Sequence, residues 1–203
     1  MAENHEFFHR KLHSLLGVIP VGVFLTQHLF INHFATRGED AFNAAARFME
    51  HLPFRYFLEI FIIFLPLVYH AIYGVYIAFT AKNNLRTYGT FRNWMFVLQR
   101  FTGVFLIIFI SWHVWETRLA NLFNDVPVNF QMMENILSNP YMLAFYIVGV
   151  LSATFHFSNG LWSFFVSWGL TVSPRSQRIF TYLSLIVFVG LSFIGVRALF
   201  AFV

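Results

Sequence analysis

Four histidines, His28, His70, His113 and His156, lie inside long apolar stretches of this 203-residue sequence. Imidazole carries two nitrogens, one free to ligate a metal while the other is held by a hydrogen bond. A polar side chain at membrane depth marks function by default, although a lone histidine also serves to join helices by a hydrogen bond. One histidine on each of four stretches weighs against simple packing. Their spacing is regular: His28 and His113 are 85 residues apart, and His70 and His156 are 86 apart. The surroundings repeat as well, since YHAIYGVYIAF (69–79) and FHFSNGLWSFF (155–165) share His-x-x-x-Gly, and Gly17 and Gly103 fit the same alignment with one gap. Two related helical hairpins forming a pseudosymmetric four-helix bundle would produce this pattern.

The elements that must position these residues are set by composition. The chain is 58% hydrophobic and 11% charged with a mean hydropathy of +0.64, against about 25% charged residues in soluble domains. Crossing a bilayer takes roughly 20 apolar residues per helix. Five stretches qualify, at about 12–34, 53–80, 94–115, 141–170 and 179–203, separated by polar breaks at 36–40, 82–93, 124–129 and 173–178. The expected fold is therefore an all-α integral membrane protein, a single domain over 1–203, with four helices in a bundle and a fifth packed on its outside. The segment 41–52 is too short to span and is weakly amphipathic, so it should lie on the membrane surface or cap the bundle.

There is no cysteine, which excludes disulfides, iron–sulfur ligation and covalent c-type haem attachment. The net charge of +4 reports loop bias rather than a nucleic-acid partner. The N-terminus, MAENHEFFHRKLHS, lacks a signal peptide's apolar core and cleavage site and reads as a retained cytoplasmic start. With the N-terminus inside, eight basic residues fall on that side and five outside, which favours a multi-pass chain in the cell membrane with a cytoplasmic N-terminus and an external C-terminus.

Depth sorts the histidines. At 1.5 Å of rise per residue, His28 lies roughly 24 Å from Leu12 and His113 roughly 18 Å beyond Phe101, both toward the outer face. The second and fourth stretches run inward, bringing His70 about 24 Å from Phe54 and His156 about 22 Å from Tyr141, toward the inner face. The result is an outer pair, His28 with His113, and an inner pair, His70 with His156. Zinc prefers three or four protein ligands, and neither pair has further donors at its depth. Haem needs two axial ligands from opposite sides, which a four-helix bundle supplies. Gly74 and Gly160, one turn beyond the inner histidines, offer close approach for the edge of a macrocycle. Two six-coordinate b haems, stacked across the membrane and carrying electrons, are the economical reading. Rivals are a proton or metal-ion transporter built on the same histidines and a purely structural anchor.

The segments RKLHSLLGVIPVGVFLTQHLFINHFATRG (10–38), FRNWMFVLQRFTGVFLIIFISWHVWETR (91–118) and SATFHFSNGLWSF (152–164) resemble the dihaem cytochrome b membrane anchors of succinate dehydrogenases from Gram-positive bacteria of the Bacillus type. More distantly, the chain is similar to the dihaem anchors of quinol:fumarate reductases. The resemblance covers essentially the whole chain. It implies a flavoprotein that oxidises succinate and an iron–sulfur subunit, both on the cytoplasmic side, with electrons passing through this anchor to a quinone, menaquinone in particular. It also implies that His70 and His156 hold the haem nearer those subunits and His28 and His113 the other. Some fumarate reductase relatives carry a glutamate two residues before the inner histidine of their later ligand helix, where this chain has Thr154, so their proton route does not carry over.

Weaker candidates surround these four. Glu59, the one acid well inside a span, is a quinone-site and proton-exchange candidate, or else a partner for Arg55. His33, Trp115 and Glu116 lie near the outer level, His33 and Trp115 as further quinone candidates, or all three as an interfacial aromatic belt and a solvated rim. His13, Ser14 and Arg100 near the inner surface are candidates for holding haem propionates, against plain solvation of His13 and snorkelling of Arg100. His5, His9 and His51 read as solvent-exposed. No catalytic residue is assigned, because succinate oxidation would lie on a partner subunit.

Overall fold

A segment in hydrocarbon must satisfy its backbone N–H and C=O groups internally, which a helix does without help from neighbours. The computed structural model describes residues 2–203, with side chains described from His5 onward. Among the described residues there is no strand, and five helices are long and apolar enough to cross a membrane: His5–Arg37, Arg55–Thr80, Phe91–Asn124, Pro140–Ser167 and Pro174–Leu199. The chain is all-helical. Inside the first helix Pro20 lacks an N–H, yet bonds from Ile19 N to Leu15 O (2.8 Å) and from Val23 N to Ile19 O (3.1 Å) carry the ladder through.

The helix ends follow cap chemistry more closely than hydropathy. The fifth helix starts at Pro174, because Ser173 and Ser176 form a reciprocal capping box with Pro174 in the first turn. The polar run 173–178 is thus mostly helical, where hydropathy suggests a loop. Asn139 caps the fourth helix by accepting from Tyr141 N, and Gly169 beyond its end takes φ +74°, a conformation that costs glycine little. The third helix runs on to Asn124, well past Trp115, through a π-helical segment at Trp115–Leu119. Its charged residues there are satisfied by side chains of neighbouring helices, as described below, so the helix need not end for them. A second π-helical segment, Leu58–Phe64, lies in the second helix. The stretch after the 124–129 break forms a short helix, Phe130–Leu137, capped by Asn129.

The first four spanning helices close a ring in which each packs on the next and the fourth returns to the first. The first and third helices are therefore opposite one another, as are the second and fourth. The fifth lies outside the ring against the fourth helix and the Pro20–His33 half of the first. Small residues allow that contact: a Cβ on Gly195 would come 2.6 Å from a Val150 methyl. Fully buried Thr154 meets Ser192 of the fifth helix at 2.8 Å. Thr154 thus serves the seam between the fourth and fifth helices and does not point to the histidines.

At the end of the bundle far from the N-terminus, the amphipathic helix Glu39–Glu50 folds over as a cap. Its buried Phe42 meets Phe202 edge-on at 5.0 Å and Phe130 at 6.2 Å. Phe202→Ala removes the shared partner of this cluster and should cost about 3–5 kcal/mol locally. Hydrogen exchange of amides 39–50 should accelerate, while amides in the middle of the third and fourth helices stay protected.

Candidate cofactor site

The ring geometry brings the four intramembrane histidines into two facing pairs. His70 on the second helix and His156 on the fourth have ring centroids 6.1 Å apart. His28 on the first and His113 on the third are 5.8 Å apart. The first pair lies nearer the N-terminal end of the bundle and the second nearer the far end. His28 is eleven residues beyond Gly17, which touches the near pair, a rise of roughly 16 Å. A metal–imidazole nitrogen bond is about 2 Å, so two imidazoles ligating one ion from opposite sides have centroids roughly 6 Å apart. Both pairs match that span. Among the described residues no group of three or more His, Asp or Glu is arranged to hold a bare metal ion, so the remaining donors must come with the ligand, as the four nitrogens of a porphyrin do.

The near pair is held by the same device twice. Nδ1 of His70 lies 2.9 Å from the backbone oxygen of His13, and Nδ1 of His156 lies 3.0 Å from that of Gln99. One turn further along each of those helices stands a glycine. A Cβ on Gly17 would overlap the His70 imidazole, and one on Gly103 would come 2.9 Å from Cε1 of His156. Residues 13 and 99, like 17 and 103, are 86 apart. The repeat seen in sequence is thus repeated contact by contact. With Nδ1–H donated to a carbonyl, Nε2 carries the free lone pair and is available to a metal.

Gly74 and Gly160 stand against side chains of the residues that orient the near pair. A Cβ on Gly74 would lie 3.1 Å from Cε1 of His13, and one on Gly160 would lie 3.4 Å from Nε2 of Gln99. They make room for side chains of the orienting residues. Gln99 uses that room to donate from Nε2 to His156 O (2.9 Å) and to accept from Asn159 (2.8 Å).

The far pair is held by side chains. His113 Nδ1 is 3.3 Å from the hydroxyl of Tyr146, which donates to Glu116 (3.1 Å), and Trp112 donates to the same carboxylate oxygen (3.0 Å). Asn32 donates to the backbone oxygen of His28 (2.9 Å), with its amide nitrogen 3.3 Å from His28 Nε2, and Thr117 donates to the backbone oxygen of His113 (2.6 Å). Each residue four beyond a far histidine therefore ties back to that histidine's turn.

The family described as succinate dehydrogenase/fumarate reductase transmembrane subunit matches residues 79–196. Over all 203 residues, and the full length of both chains, the sequence is 69% identical to the succinate dehydrogenase cytochrome b558 subunit of Bacillus subtilis (strain 168). The chain belongs to this transmembrane-subunit family. It is a multi-pass membrane protein.

In this transmembrane subunit the weaker candidates separate. His13 stacks on His70 with centroids 4.0 Å apart and planes 7° from parallel, and its Nδ1 is buried without a partner. Arg100, beside Gln99, lies over the Phe96 ring at 3.7 Å with Nε and Nη2 likewise buried and unpaired. Ser14 is already engaged, accepting from Trp168 and donating to Lys11 O. At the far end Glu59 pairs with Arg118 at 2.7 Å and with Arg55 at 3.6 Å. Glu59 and Arg118 each sit in one of the two π-helical segments, a feature found often at functional sites. His33 Nδ1 meets the Ile194 carbonyl of the fifth helix at 3.1 Å, and Trp115 is 65% exposed on the surface. No hydrogen bond, ion pair or ring contact among the described residues joins Glu59, His33 and Trp115 to one another. His9 is not simply solvated, since its Nδ1 lies 2.6 Å from the Tyr69 hydroxyl.

Sequence reasoning missed Gln99, Tyr146 and Arg118. Offsetting His13 by the repeat period points to Gln99, and an acid inside a span requires a cation near it. Nothing local marks Tyr146. Arg118→Ala should lower stability by about 1.5–3 kcal/mol, the worth of a hydrogen bond to a charged group. Arg55→Ala should cost less, because its contact with Glu59 is longer. Thermal unfolding of the detergent-solubilised protein checks both.

Proposed function

We propose that this chain is the membrane anchor and electron-transfer subunit of a succinate dehydrogenase, holding two b haems and delivering electrons to a quinone. The observation that carries the reading is the double imidazole pairing at coordination span, with the Nδ1 atoms of the near pair already committed to backbone carbonyls. His70 and His156 would hold one haem, and His28 and His113 the other. Haem with both axial positions filled supplies a one-electron ferric/ferrous couple rather than oxygen activation.

The chain's own residues do the remaining work. The carbonyls of His13 and Gln99 fix the tautomer and angle of the near ligands, and Gly17 and Gly103 keep the space that those rings need. The unpaired nitrogens of Arg100 and His13 supply donors for anionic propionates near that end, with Ser14 a lesser contributor because its hydroxyl is occupied. The excess of basic residues supports a cytoplasmic N-terminus and an external C-terminus. On that orientation the near pair faces a flavoprotein and an iron–sulfur subunit, and this chain needs such a partner because it has no cysteine of its own to bind a cluster. We assign the quinone, menaquinone, to the far end. Glu59 between its two arginines is our candidate there for proton exchange, with His33 and Trp115 as flanking candidates.

A reduced-minus-oxidised spectrum of the purified complex should display b-type bands with two haems per chain. A colourless preparation would leave a structural anchor or a transporter instead. His70→Ala and His156→Ala should each lose one haem, the same one, and His28→Ala and His113→Ala the other. Gly17→Val and Gly103→Val keep all four ligand histidines in the sequence but crowd the rings of His70 and His156, and should lose the same haem as His70→Ala.

A further inference from the structure

The two pairs differ in what holds their ligand nitrogens. The near histidines donate to neutral peptide carbonyls. His113 faces a tyrosine hydroxyl that is itself bound to a carboxylate. An ionised carboxylate only accepts hydrogen bonds, so the Tyr146 O–H and the Trp112 Nε1–H both point to Glu116. The lone pairs of the Tyr146 oxygen then accept from His113 Nδ1–H. This orders a directed chain, His113 to Tyr146 to Glu116, that ends on a negative charge.

Packing makes the chain rigid. Tyr146 is 2% exposed, so water has little access to compete for its hydroxyl. Phe109 stacks parallel to His113 (centroids 6.0 Å, 12°) and meets Tyr146 edge-on (5.5 Å, 83°). Gly149, nearly one turn from Tyr146, permits this approach, because a Cβ there would overlap the Phe109 ring. The third and fourth helices are thus locked together where the chain crosses between them.

We propose that Tyr146, held by Glu116, is a positioning residue that tunes His113 and thereby sets the redox potential of the far haem apart from that of the near one. The proposal rests on the two-haem reading above. An acceptor polarised by a carboxylate raises the basicity of the ligating imidazole. A more basic ligand stabilises the ferric state and lowers the potential. A peptide carbonyl does this less, so the effect on the near haem is smaller.

The test is a potentiometric titration of both haems in the intact complex, with the far haem identified by its loss in His113→Ala. Tyr146→Phe keeps the buried ring and removes only the oxygen. The far haem should become easier to reduce by roughly tenfold in its ferric/ferrous ratio, a rise of about 59 mV for a one-electron couple, with the near haem unmoved. Glu116→Gln retains an acceptor for Tyr146 but removes the charge, and should raise the far potential by a smaller amount. It decides the matter alone if Tyr146→Phe fails to retain the far haem. An unchanged far potential with both haems retained, or equal shifts of the two haems, would overturn the proposal. A wild-type complex without two haems is a separate result, which sinks the underlying reading.

Discussion

An imidazole placed in an apolar helix bundle must find a partner for its ring nitrogens, since an unmade hydrogen bond there costs about 1–3 kcal/mol. At the near pair that requirement is met by reaching across to the backbone of the adjacent helix, at His13 and at Gln99. A backbone carbonyl inside a regular helix is normally occupied and shielded by side chains. It becomes reachable here because Gly17 and Gly103 leave the imidazole room beside the helix. Much else in the near half follows: how closely the first and second helices approach, how closely the third and fourth do, and which nitrogen of each histidine remains free.

The duplication extends this constraint to the whole bundle. Two hairpins with the same carbonyl, glycine and histidine arrangement face one another, so each supplies one imidazole to the near pair and one to the far pair. A closed ring of four helices places the first opposite the third and the second opposite the fourth. Related hairpins in such a ring put equivalent histidines on opposite sides of a shared space, which is the geometry that a ligand coordinated from both faces demands. The fifth helix breaks the symmetry from outside, through Gly195 and the Thr154–Ser192 contact, without entering that space.

The far half is built by other means, and the two halves differ in polarity accordingly. There Tyr146, Glu116 and Trp112 surround His113, while Glu59 bridges Arg55 and Arg118 between two π-helical segments. Widening a helix to a π turn re-aims its side chains, which brings Arg118 within 2.7 Å of Glu59. Charged side chains are thereby tolerated in helices that hydropathy alone would end at Trp115. The same half carries the aromatic cap formed by Phe42, Phe130 and Phe202.

What the sequence by itself determined was the membrane class, the five spans, the absence of any thiol ligand and the sorting of His28, His70, His113 and His156 into two levels. These properties depend on composition and on rise per residue, both of which are local and additive along the chain. Helix ends were less legible, because the Ser173 capping box and the π-helical segments depend on single side chains rather than on average hydropathy. Only the tertiary structure decided that Gly74 and Gly160 accommodate His13 and Gln99, that Glu59 belongs with Arg118, that Thr154 serves the fifth helix, and that Tyr146 meets His113. Each of these is a contact between residues far apart in sequence, set by the rotation of one helix about its axis relative to another. That rotation is fixed by packing at the glycines and aromatic rings, which no periodicity along a single helix reveals.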